Sequence, residues 1–98
     1  MLFGLTWTAR QVSEESEKRS LNLFGHWKPP AGYEFKAFYA SADGNGGIAI
    51  VEASSAAAML EAHAPWNAFF EFKVVPVVEM NDAVPIFAKV NAWRDSIK

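Results

Sequence analysis

Tyr33–Ser41 reads YEFKAFYAS, Ala42–Gly47 reads ADGNGG, and Ile48–Glu52 reads IAIVE. Tyr33, Phe35, Ala37 and Tyr39 alternate with Glu34, Lys36, Phe38 and Ala40. That period of two predicts a strand with one wholly apolar face. Asp43-Gly44-Asn45-Gly46-Gly47 is a dense turn signal, and the short apolar run after it predicts the partner strand. The two runs make an antiparallel hairpin closed by a loop of about four to six residues.

Upstream of the hairpin, Pro29-Pro30 must end whatever precedes them. What precedes them is a helix over 13–27. Ser13 offers an N-cap, and Glu14 and Glu15 occupy the first turn, where the helix dipole favours negative charge. Glu14–Lys18 and Glu15–Arg19 are ion pairs one helical turn apart, and Leu21, Leu23, Phe24 and Trp27 form the apolar stripe. Before it, Met1–Ala9 (MLFGLTWTA) suits a strand, with Phe3, Leu5 and Trp7 on one face. Downstream, Ser54 and Ser55 can cap a second helix that shows Ala56, Met59, Leu60 and His63 on one face and ends at Pro65. Phe69–Met80 (FFEFKVVPVVEM) reads as a fourth strand, with Pro76 at a bulge, a break or an edge. Asn81 or Asp82 then caps a last helix carrying Ile86, Val90, Trp93 and Ile97 at helical spacing.

The order is β-α-β-β-α-β plus a C-terminal helix, an α+β chain of the ferredoxin-like, split β-α-β kind. Right-handed crossovers place both crossover helices on one face of a four-stranded antiparallel sheet. The other face stays open in a monomer. It carries apolar residues, because Ile48-Ala49-Ile50-Val51 is apolar on both sides. Soluble monomers rarely leave such a patch bare. The expectation is a homodimer that packs sheet against sheet. Alternatives are a C-terminal helix folded over the same face, or a half-wet sheet of the common antiparallel kind.

The chain has 98 residues, with 51% hydrophobic and 20% charged, which fits one globular domain spanning 1–98. No cysteine is present, so disulfides and thiolate metal sites are excluded. The net charge is -2, and among the nine basic residues only Lys18 and Arg19 are adjacent. That leaves no basic stripe for nucleic acid. No apolar run is long enough to span a bilayer, and Met1-Leu2-Phe3-Gly4 does not begin a signal peptide, so a cytoplasmic protein without membrane contact is expected.

Several strings have a family likeness. Trp27-Lys28-Pro29-Pro30-Ala31-Gly32, Ala42-Asp43-Gly44 with Gly46-Gly47, and Ala64-Pro65-Trp66 are the most specific of them. With the order of elements, they make residues 2–87 or so resemble a family of short bacterial proteins catalogued as a domain of unknown function, within the dimeric α/β-barrel superfamily. The resemblance implies a ferredoxin-like monomer and a two-fold dimer. It implies no particular catalytic residue. The superfamily holds cofactor-free monooxygenases, lactone isomerases, haem-degrading enzymes and ligand-binding domains, and fold analogy selects none of them.

The residues themselves offer a few candidates. His63, near a helix C-terminus, could serve as an acid or base, or simply hydrogen-bond a backbone carbonyl. His26, beside Trp27, has the same two readings at the end of the first helix. Four Trp, two Tyr and eight Phe could line an apolar pocket between sheet and helices, with Tyr39, Trp27 and Trp66 offering hydrogen-bonding tips. They could equally be the filling of a small core. The two histidines lie in different helices with no third ligand at a metal-site spacing, so neither metal nor cofactor is expected. Asp43–Gly47 lacks the Lys-Ser/Thr of a phosphate loop and joins two strands. Three functions follow: a homodimeric binder of a small apolar or aromatic molecule, a cofactor-independent monooxygenase- or isomerase-like enzyme, and a structural dimer with no ligand.

Overall fold

A computed structural model describes residues 1–98. Its elements are β1 (Leu2–Ala9), α1 (Glu14–His26), β2 (Tyr33–Ala40), β3 (Gly46–Ala53), α2 (Ala56–His63), a 3₁₀ turn (Ala64–Trp66), β4 (Phe70–Pro76) and α3 (Met80–Ser96). The strands form one antiparallel sheet in the order β2-β3-β1-β4, the ferredoxin-like arrangement expected from the chain order. Side chains from α1 and α2 meet over the same sheet face.

The caps are where the sequence places them. Ser13 Oγ accepts from the Ser16 N–H, and Ser55 Oγ accepts from the Ala58 N–H. The hairpin loop is held by Asp43, whose Oδ1 accepts from Ser41 Oγ at 2.7 Å and from the Asn45 N–H at 3.0 Å. Those bonds, the Asn45 one foremost, hold the exposed Asp43 carboxyl below its ordinary pKa. Gly44 takes the left-handed conformation at φ +78, which closes the turn.

The core is the helix-side face of the two central strands. Phe3 and Leu5 of β1 lie opposite Val51 and Ala49 of β3, and Tyr33, Ala53, Met59 and Ala62 complete the cluster. Only twelve of 98 residues are buried, and α1 and α3 contribute none of them. The chain is accordingly elongated, 62 × 30 × 18 Å. Its radius of gyration is 17.7 Å, against roughly 13 Å for a compact domain of this length.

Four details differ from the sequence reading. The strict alternation of β2 breaks at Lys36: Phe35 pairs with Val51, but Ala37 pairs with Ile50, leaving Lys36 as an extra residue in a β-bulge. A bulge shifts every later side chain to the opposite face. Phe38 therefore joins Phe35 on the helix side, their rings stacked at 4.2 Å, while Tyr39 pairs with Ile48 on the open face. In α2 the buried face is Ala58, Met59, Ala62 and His63, with Leu60 exposed; the small alanines let that helix lie close to the sheet. β4 ends at Pro76, short of the expected Met80, since proline cannot donate to the ladder. α3 begins at Met80, ahead of the expected Asn81 or Asp82 cap, with Glu79 in the cap position and no side-chain bond there.

Candidate functional site

Under α1 the chain leaves a cavity of about 170 Å³. Its existence follows from how α1 is propped. Phe24 rests on aromatic neighbours, with ring centroids 6.1 Å from Trp66, 6.3 Å from Trp27 and 6.3 Å from Phe38 of β2. Phe38 from the sheet and Trp66 from the 3₁₀ turn hold the helix away, and the space beneath is not filled. Phe24 and Leu21 form the lid and are both exposed.

The floor is the sheet face of Leu5, Trp7, Phe35, Phe38 and Phe72. The end wall is Trp27, Trp66, Tyr33 and His63. Trp27 and Trp66 meet edge to face, 5.7 Å apart at 84°, a favoured aromatic arrangement that fixes both rings. Phe72 stands perpendicular to the His63 ring at 4.6 Å. Twelve of the fourteen lining residues are hydrophobic, so the polar chemistry reduces to Ser20 on the lid and His63 on the wall, with the Tyr33 hydroxyl beside it.

His63 Nε2 and Tyr33 Oη lie 3.0 Å apart, both residues buried. Burial pushes the His63 pKa below its ordinary 6.5, and pushes the Tyr33 hydroxyl up to about 12. The pair is thus a neutral imidazole and a neutral phenol at pH 7. His63 Nδ1 is buried and has no hydrogen-bond partner. If Nε2 carried the proton and donated to Tyr33, the phenol proton and the Nδ1 lone pair would both go unmet. If Tyr33 donates to Nε2, only an Nδ1–H is unmet. The second arrangement leaves fewer buried polar groups unsatisfied and is favoured.

One consequence is a pH dependence of stability. His63 has a lower pKa folded than unfolded, so below about pH 6.5 the unfolded chain binds more protons and stability falls with pH. The contribution is complete above the unfolded pKa and is lost as pH drops through the folded one. Denaturant titrations from about pH 8 to about pH 5 should show a falling midpoint, and His63→Gln should flatten that slope.

The cavity brings together three of the five residues singled out from the sequence: His63, Trp66 and Trp27. Tyr39 is on the opposite sheet face and 68% exposed, because of the Lys36 bulge. His26 is exposed, its Nδ1 2.9 Å from the Asn22 carbonyl within the same helix, and stands outside the cavity. The tyrosine that does reach the site is Tyr33, thirty residues from His63 in sequence; the pattern put it on the inward face without pairing it to the histidine. No group of three or more His, Asp or Glu side chains is arranged to hold a metal ion. No helix is long and apolar enough to cross a membrane.

The profile of one protein family, described as Domain of unknown function (DUF3303), matches residues 1–91. No curated protein matches the chain.

Proposed function

The chain belongs to the DUF3303 family, a domain of unknown function, and from that premise we propose that it is a cytoplasmic homodimer that binds a small aromatic molecule bearing one hydrogen-bond acceptor. The observation that carries this reading is an otherwise apolar cavity lined by His63, whose buried Nδ1 has no hydrogen-bond partner. An apolar cavity of ~150 Å³ takes a benzene-sized guest, and about 170 Å³ leaves room for a small substituent. A carbonyl oxygen on the ring would satisfy Nδ1–H once the His63 ring turns that nitrogen toward the guest. The exposed apolar residues Tyr39, Ile48 and Val75 on the open sheet face support the homodimer.

Acetophenone and toluene are suitable probes, alike in ring and different in the acceptor. Acetophenone at a hundred times its Kd should stabilise the protein by about 2.7 kcal/mol. One added hydrogen bond should favour it over toluene by roughly three- to tenfold. Leu21→Trp, at a largely exposed lid position, should fill the cavity and abolish both shifts. Equal affinity for the two probes would remove His63 from the reading, and no shift with either would end it.

One observation favours a second reading. A neutral imidazole buried beside a phenol is suited to accept a proton, which is what a cofactor-independent enzyme would ask of it. That reading takes the other tautomer, in which Nε2–H donates to the Tyr33 oxygen, which orients the ring, and the Nδ1 lone pair is the base. A solid core would have favoured a dimer without a ligand, and the cavity counts against that.

A further inference from the structure

We propose that α3 is an exchanged arm: in the homodimer, the α3 of each protomer lies along the open sheet face of the other. This rests on the homodimer reading and goes beyond it by naming what covers the sheet.

α3 runs for 17 residues without one buried side chain. Ile86, Val90 and Trp93 form a stripe along it and are 54%, 39% and 65% exposed. The helix does not fold back over its own sheet, which is why the molecule reaches 62 Å in its longest dimension. The open face is equally unpartnered and has the shape of a trough. β1 offers Leu2, Gly4, Thr6 and Thr8 there, with Val77 reaching beside Gly4, so the floor is lowest along Thr6 and Thr8. On one side Ile48 and Ile50 of β3 stand opposite Thr6 and Gly4, and on the other Lys73 and Val75 of β4 stand opposite the same two residues.

The dimensions of the two surfaces agree. Strands two apart are ~10 Å from each other, close to the ~10 Å diameter of a helix. A helix of 17 residues is about 25 Å long, and a strand of eight is about 26 Å long. A sheet packed on a sheet would leave both α3 stripes in water. Exchange hides the apolar face and the apolar helix of both protomers in one closed two-fold contact. Two such contacts, each hiding roughly 300–400 Å² per side, total about 1,200–1,600 Å², within the range of stable interfaces.

The chain has no cysteine, so a linker can be placed at will. Full-length Ile48→Cys and isotope-labelled full-length Trp93→Cys are refolded together and treated with a short bismaleimide. The expected product is a covalent heterodimer joining position 93 of one chain to position 48 of the other, read by mass spectrometry. In parallel, sedimentation equilibrium compares wild type with Val90→Glu/Trp93→Glu, both on the exposed stripe. The variant should keep its circular dichroism and weaken dimerisation at least a hundredfold. A wild-type monomer at micromolar concentration overturns the homodimer and the arm together. A dimer indifferent to Val90→Glu/Trp93→Glu overturns the arm alone, as does a refolded dimer in which no link from position 93 to position 48 forms.

Discussion

Phe3→Ala should cost about 3–5 kcal/mol of stability, the usual range for removing a buried aromatic ring. Phe3 is 5% exposed and sits on central strand β1, facing Val51, which is wholly buried. Both strands are pinned by neighbours on either side, so the site cannot collapse to fill the void. The denaturation midpoint should fall without a change in slope, and the melting temperature should fall by on the order of 15–25 °C. Phe3 does not line the cavity. The surviving folded fraction should therefore bind acetophenone with unchanged affinity, which separates the core from the site. A loss below about 1 kcal/mol would mean that the core does not rest on this contact.

Gly46→Ala should be comparably severe, about 3–5 kcal/mol, through backbone rather than packing. A Cβ on Gly46 would run into the Trp7 carbonyl and press on Thr8 of the neighbouring strand. Backbone cannot swing aside as a flexible side chain can. β1 and β3 would have to part at the end where Thr8 pairs with Gly46 and Ala9 donates to the Asn45 carbonyl. Trp7 lines the cavity, so this variant should also lose acetophenone binding. Gly44→Ala is the comparison: its added Cβ meets nothing, and the cost should be only that of the positive φ, about 1 kcal/mol. Hydrogen exchange at the Thr8 and Ala9 amides would locate the damage.

The element order, the caps at Ser13 and Ser55 and the hairpin were legible because each is local: a period, a capping hydroxyl, a run of glycines. The bulge at Lys36 was not. Its sequence alternates without interruption, and the extra residue exists only because β2 must match Val51 at one position and Ile50 at the next. That misplaced Tyr39 and hid Phe38. For the site, the stripe of α1 was visible, but the height at which rings such as Trp66 and Phe38 hold that helix depends on packing between elements far apart in the chain. The meeting of Tyr33 with His63 is of the same kind, since no local rule pairs a strand's first residue with a helix's last.

The extra residue at Lys36 works as a frame shift in geometry. Upstream of it the odd-numbered positions of β2 serve the interior, and downstream the even-numbered ones do. Deleting Lys36 would leave Phe38 inward and Tyr39 outward in plain alternation, whereas keeping the residue and ironing out the bulge would turn the far half of the strand over, sending Phe38 outward and Tyr39 into the cavity. One aromatic would be traded for another carrying a hydroxyl, with no codon for either ring altered. Within a family built on this sheet, gain or loss of the bulge at constant strand length is a route by which interior chemistry and outer surface can be rewritten together.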